Sequence, residues 1–209
     1  MGHLFTDRAE AGALLAERLP GRRDAVVLAL PRGGVAVALP VARRLGGVLD
    51  VLVTRKIGYP ESPELGVGAL AEGGEPVFDE ELMGRLGLTM ADLDEVVERE
   101  RAELERRVRV YRGSRPLPTV AGHDVVVVDD GLATGVTARA ALRALRAAEP
   151  DRLTLAAPVG AARTVKMLRG EADEVVVLAT PPDFFAVGQW YEHFDQLTDA
   201  EVLSLLRSR

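Results

Sequence analysis

Val125-Val126-Val127-Val128-Asp129-Asp130-Gly131-Leu132-Ala133-Thr134-Gly135-Val136-Thr137, leading into the Ala/Leu/Arg run 138–145, reads as strand, acidic pair, glycine turn and helix. Four consecutive valines suit a strand buried on both faces of a parallel sheet, because each branched side chain finds packing whichever way it points. The run after Thr137 is a strong helix former. The turn between them therefore falls at the carboxyl end of a strand, where open α/β sheets bind ligands. A helix starting near Thr137 turns its unpaired N–H groups and positive dipole end toward that turn, which suits an anion. Gly135 permits close backbone approach, and Thr134 and Thr137 supply hydroxyl donors. Asp129 and Asp130 can accept from vicinal sugar hydroxyls or hold a hydrated Mg²⁺. The stretch predicts a cradle for a phosphorylated sugar.

These thirteen positions closely resemble the phosphoribosyl-diphosphate (PRPP) binding motif of the type I phosphoribosyltransferases: four apolar residues, two acids, two variable positions, then Ala/Asp-Thr-Gly-x-Thr. Apolar residues ending in two aspartates also describe the magnesium strand of nucleoside triphosphatases, but that reading needs a phosphate loop ending in Gly-Lys-Ser/Thr. The only lysines are Lys56 and Lys166, and neither follows a glycine. The resemblance implies an open, mainly parallel sheet with helices on both faces. The resemblance covers about residues 25–180, and the expected organisation is a phosphoribosyltransferase-like core over residues 1–180, with a helical insertion at about 79–115 and a C-terminal hood over 181–209 that have no firm counterpart in it.

Composition agrees with that size of unit. At 209 residues and 47% hydrophobic content the chain can bury a full core, and without cysteine it has neither disulfides nor thiolate chemistry. No signal peptide and no apolar run of 18 residues is present, so a cytoplasmic, non-membrane protein is expected. A net charge of −6 argues against a general nucleic-acid surface. Self-association stays open.

Working outward, Thr6 is positioned to cap a first helix with Leu14, Leu15 and Leu19 on its apolar face, ending before Pro20-Gly21. Residues 25–30 read as a buried strand. After Pro31-Arg32-Gly33-Gly34 a helix is expected over 35–45, with Pro40 in its first turn or kinking it, and then a strand over 49–54. Glycine and proline density over 55–78 suggests loop and short hairpin. Within it, Gly66-Val67-Gly68 mimics a dinucleotide fingerprint but lacks the preceding strand and following helix, so it is read as hairpin strand or mobile loop. Residues 79–112 read as an amphipathic helix with a Thr89/Asp92 capping box; its many arginines are matched by interleaved glutamates, as on a solvated face. Strand, helix, strand, helix, strand then follow over 125–178, the alternation of a parallel sheet. Thr198 and Glu201 cap a last helix.

The remaining site residues follow from the resemblance together with their chemistry. The Arg32-Gly33-Gly34 turn sits where the family's diphosphate loop lies: the glycines expose N–H groups and Arg32 offers a planar fork to phosphate oxygens. Lys56, with Arg55, follows the next strand and can neutralise the leaving group. The backbone from Ala133 through Thr134, Gly135 and Val136 to Thr137 would hold the 5-phosphate, and Asp129 and Asp130 the ribose hydroxyls and the shell of an Mg²⁺ cofactor. The tail holds five of the nine aromatics, so Phe184, Phe185, Trp190 and Tyr191 are the candidates to stack on a nucleobase acceptor. The reaction implied is Mg-dependent transfer of phosphoribose from PRPP to a nitrogen acceptor in nucleotide metabolism. Residues 55–74 or 79–115 could act as a lid that excludes water. Hypoxanthine-guanine enzymes carry an aspartate where this chain has Ala133, so the likeness is nearer to adenine-type or orotate-type cradles. The competing class is a regulator that senses PRPP and uses the arginines over 99–115 to bind RNA, DNA or a protein.

Overall fold

A computed structural model describes residues 2–22 and 24–208. Five strands, β1 (Val26–Ala29), β2 (Val48–Val51), β6 (Asp124–Val128), β7 (Arg152–Val159) and β8 (Glu174–Ala179), form one parallel sheet in the order β2-β1-β6-β7-β8. The valine strand is its centre. Alternate residues divide between two cores, as the two-residue period of a strand requires. Val27, Ala29, Val126 and Val128 face α1 (Arg8–Glu17), α2 (Gly33–Leu45), α4 (Asp94–Arg112) and α7 (Asp199–Arg207). Val26, Leu28, Val125 and Val127 face α5 (Val136–Arg146) and α6 (Ala162–Leu168). The expected parallel sheet with helices on both faces is the observed architecture. No helix among the described residues is long and apolar enough to cross a membrane.

The strand expected over 49–54 ends at Val51. Leu52 N–H still reaches the Ala29 carbonyl, but β1 stops there and offers no further partner. Thr54 instead opens β3 (Thr54–Tyr59), which pairs antiparallel with β4 (Ser62–Ala71), itself paired with β5 (Val77–Phe78). The region expected as loop and short hairpin is thus a three-stranded second sheet built on a β3–β4 hairpin, and Gly66-Val67-Gly68 lies in β4 as a hairpin strand. Its stability comes from tertiary packing: Ala69, Ala71 and Val77 cover Ala140, Val136 and Ala144 of α5.

Three local expectations shift. The first helix is capped by Asp7, whose carboxylate accepts from Glu10 N–H at 2.8 Å while Glu10 accepts from Thr6 N–H, so the box lies one residue beyond Thr6. Leu14 is exposed, and Leu15 and Leu19 carry the apolar face. Pro40 lies inside α2, beyond its first turn, because the helix already starts at Gly33. The segment 79–112 is two helices, α3 (Glu80–Leu86) and α4. Gly87 ends α3 in the left-handed region, and Asp92 then accepts from both the N–H and the hydroxyl of Thr89 before α4 begins.

Candidate active site

Between β1 and β6 the chain reverses its direction of travel across the sheet, β1 leading to β2 on one side and β6 to β7 on the other. Such a switch point opens a crevice above the strand ends. The two strands end level, Ala29 opposite Val128, and Leu30 N–H donates to the Val128 carbonyl at 2.9 Å. Both sequence-predicted loops leave the sheet there. They interlock: a Cβ on Gly33 would collide with the Asp130 carboxylate, and one on Gly34 would come within 2.7 Å of the Val128 carbonyl oxygen. The glycine pair is thus a packing requirement of the acidic pair. The Pro31–Arg32 peptide is cis.

Asp129 accepts from Asp130 N–H at 2.9 Å. Burial, and then the negative charge of Asp130, hold the Asp129 carboxyl well above the usual carboxylate range. Burial pushes Asp130 upward too, opposed by Arg8, whose Nε donates to Asp130 Oδ2 at 2.9 Å. The Tyr191 hydroxyl, itself raised by burial, donates to the Asp130 carbonyl at 2.7 Å.

The cradle turn continues through Leu132, which bridges to Gly160 beyond β7, and reaches Gly135 with φ +76° at the start of α5. A side chain there would be strained, and its Cβ would stand 2.5 Å from the Thr164 methyl. The Thr164 hydroxyl also donates to the Ala133 carbonyl at 2.5 Å, so α6 braces the turn from below. Helices α1, α3 and α7 carry side-chain caps from Asp7, Asp79 and Thr198; α2 and α5 have none. In α2 the Gly34 and Val35 N–H groups turn back to the Leu30 and Arg32 carbonyls at 3.2 Å, leaving the Gly33 N–H to solvent or a ligand, whereas the first turn of α5 opens on the cradle turn; α4 and α6 lack side-chain caps as well. Thr134 is exposed and Thr137 half-buried. A cavity of about 630 Å³ opens beside Thr134 and Val136, with Arg139, Arg163 and Asp79 also on its wall.

Arg32, Gly33, Gly34, Asp129 and Asp130 thus meet where β1 and β6 end, and the turn from Ala133 to Thr137 runs from the same strand end to α5. Lys56 and Arg55 are engaged elsewhere, on β3 of the antiparallel sheet. Lys56 Nζ donates to the Glu64 carbonyl at 2.6 Å, and Arg55 donates to Glu100 of α4 at 2.7 and 2.9 Å. The tail aromatics divide. Trp190 and Tyr191 are buried at 5% and 2% exposure, in a cluster with Phe5 and Val159, and Phe184 stacks on Trp190. Phe185 is 87% exposed. Sequence reasoning missed Arg8 and Thr164: each lies within a helix, and no local pattern marks a partner that is 122 or 31 residues away.

A sheet of this order with both loops at its switch point defines a type I phosphoribosyltransferase fold. A family model for the phosphoribosyl transferase domain matches residues 8–193, and the chain belongs to that family. It is 46% identical over 205 residues to a Mycobacterium tuberculosis protein named as a phosphoribosyl transferase, covering 97% of this chain and 46% of that protein. The chain thus spans about half the length of the curated relatives it matches. The crystal structure of TT1426 from Thermus thermophilus is 45% identical, covers 98% of each chain and superposes with a TM-score of 0.82. A hypoxanthine-guanine phosphoribosyltransferase of Bacillus anthracis, 14% identical with a TM-score of 0.50 over 88% of this chain and 84% of that one, shares the fold.

Proposed function

We propose that this chain transfers the phosphoribosyl group of PRPP to a nitrogen acceptor and releases diphosphate. The observation that carries the reading is the interlocking of Gly33 and Gly34 with Asp129 and Asp130 where α2 and the cradle turn into α5 leave the ends of β1 and β6. That arrangement offers anion sites on both sides of a pair of carboxylates, as a sugar bearing a phosphate at one end and a diphosphate at the other requires. In the reaction, the C1–oxygen bond to diphosphate breaks, the oxygen keeps the electron pair, a bond forms from C1 to the acceptor nitrogen, and the proton of an N–H acceptor passes to water or the departing diphosphate. The turn from Ala133 to Thr137 anchors the 5-phosphate, Arg32 with the Gly33 N–H stabilises the departing diphosphate, and the acidic pair orients the ribose.

Two adjacent carboxylates fit Mg²⁺, which is commonly held by one or two carboxylates together with substrate oxygens and water. Among the described residues no group of three or more His, Asp or Glu forms a closed cage. Asp129 and Asp130 would hold the ion's shell; when bound, it would neutralise developing charge on the diphosphate.

For the acceptor, the buried rings of Trp190 and Tyr191 are building material for the hood, residues 181–209, and Phe185 is the ring available to stack on a base. Its loop is braced by Gln189, whose Oε1 accepts from Phe185 and Ala186 N–H and whose Nε2 donates to the Asp183 carbonyl. Val187 of the same loop packs directly on Gly131, next to Asp130, which brings the hood to the rim of the cradle. Lys56 and Arg55 reach the leaving group only if the β3–β4 hairpin closes over the crevice as a lid. The regulator reading is weakened by α4, where Arg99, Arg101, Arg106, Arg107 and Arg109 pair with neighbouring glutamates and Arg112 is buried against Glu72.

The test is diphosphate release from PRPP with Mg²⁺ across purines, pyrimidines and pyridine carboxylates, against a blank without acceptor. Release with one base names the acceptor. Binding of PRPP without release for any of them would favour the PRPP-sensing regulator.

A further inference from the structure

Arg8 places a cation at the acidic end of the crevice and has no task in the reading above. Its Nε donates to Asp130 Oδ2 at 2.9 Å, its Nη1 donates to the Asp195 carbonyl at 2.9 Å, and its guanidinium carbon lies 3.8 Å from the centre of the Phe194 ring. The side chain is only 10% exposed. Three contacts from distant parts of the chain thus hold it in one place, where its Nε stands 3.0 Å from the position a Gly33 Cβ would occupy. Asp130 is correspondingly fixed at both ends, its carboxylate by Arg8 and its carbonyl by the Tyr191 hydroxyl. No ion pair reaches Asp129 among the described residues. The Asp130 carboxyl also shares a hydrogen bond with that of Asp129, which a ligand hydroxyl can replace while the guanidinium keeps Oδ2 in place, and the guanidinium repels a second cation from the same carboxylate.

We infer that Arg8 is a positioning residue that dedicates Asp130 to the vicinal hydroxyls of the ribose, one carboxylate oxygen held by the guanidinium and the other offered to the sugar. The inference rests on the phosphoribosyl reading of the site. It also gives the tail a role inside the cleft, because Phe194 and Asp195 set the guanidinium that sets Asp130.

The experiment is calorimetric titration of the full chain with three probes: PRPP with Mg²⁺, ribose 5-phosphate, and inorganic diphosphate with Mg²⁺. The proteins are the wild type, Arg8→Ala, Arg8→Lys, Asp130→Asn and the Arg8→Ala/Asp130→Asn double variant, each checked for folding by thermal unfolding. Arg8→Ala should weaken PRPP and ribose 5-phosphate by roughly tenfold or more, as loss of an orienting partner does, while diphosphate, which has no hydroxyl, changes less than about twofold. Arg8→Lys should recover part of the loss. The double variant should bind no worse than Asp130→Asn, since Arg8 acts through Asp130. Equal weakening of diphosphate and sugar phosphate, or additive losses in the double variant, would overturn the assignment. Unchanged PRPP binding in a folded Arg8→Ala removes the Arg8 role alone, whereas a wild type that binds neither PRPP nor ribose 5-phosphate removes the phosphoribosyl reading and this inference with it.

Discussion

Asp129, once ionised, holds its charge beside Asp130 and partly out of water, and its pKa is raised for both reasons. The folded-state value lies above the unfolded one, so the stability linked to this proton is fully present below about pH 4 and is lost as pH rises through the folded pKa. Asn cannot ionise, and its side-chain oxygen can still accept from Asp130 N–H. Asp129→Asn should therefore be more stable than wild type at pH 7, a difference that closes near pH 4, while PRPP binding is abolished. Urea unfolding at the two pH values checks the first part; a variant less stable than wild type at pH 7 would show that the charged form is favoured in the fold. Gly33→Ala makes a complementary case. Its new methyl must displace the Asp130 carboxylate, so PRPP affinity should fall with a stability loss of roughly 1–3 kcal/mol. Retained affinity would mean that the contact between the two loops is not required for the ligand.

At the level of elements, α4 and α7 meet through Tyr111, whose hydroxyl donates to Asp199 Oδ1 at 2.6 Å. Burial and that hydrogen bond push Tyr111 up to about 12. The sign is that of a raised group: its contribution is present below about pH 10 and is lost as pH climbs through 12. Tyr111→Phe should cost about 1 kcal/mol at pH 8 and flatten the fall in stability between pH 10 and 12 relative to wild type. An unchanged alkaline slope would remove Tyr111 from that transition. This contact also shows what a sequence conceals. The parallel sheet was legible because valine runs and helix formers alternate along the chain, and the cradle was legible because its residues are contiguous from Asp129 to Thr137. The second sheet was legible only as a short hairpin, not in its extent, since Gly58, Pro60, Pro63, Gly66 and Gly68 interrupt any alternation and its order comes from packing on α5. Pairs such as Arg8 with Asp130 and Tyr111 with Asp199 join elements 122 and 88 residues apart, and neither partner differs locally from an ordinary surface residue. Aromatic content marked the tail as special, but only the fold distinguishes Trp190 and Tyr191, which are buried, from Phe185, which is not.

For the whole molecule, that distinction decides what the C-terminal segment does when it is removed. If residues 183–209 were only a detachable hood, truncation after Pro182 would leave PRPP binding intact and alter acceptor choice. The structure makes the segment part of the core. Trp190, Tyr191, Val202 and Leu206 are buried, residue 5 pairs with Tyr191 as an added bridge beside the sheet, and α7 packs on α2. Each of those four side chains contributes roughly 1.5–3 kcal/mol of apolar burial, and together they approach the 5–15 kcal/mol that holds a typical domain folded. Truncation would also free Arg8 from Phe194 and Asp195 and leave the Asp130 carbonyl without Tyr191. The truncated chain should therefore lose its cooperative thermal transition and PRPP binding together. Phe185→Ala, which removes an 87%-exposed ring, should leave the melting temperature within about 1–2 °C of wild type, as for most surface substitutions, and weaken the acceptor alone. A truncated chain that still melts cooperatively and binds PRPP would restore the detachable hood, and a Phe185→Ala variant with unchanged acceptor KM would move the acceptor site away from this loop.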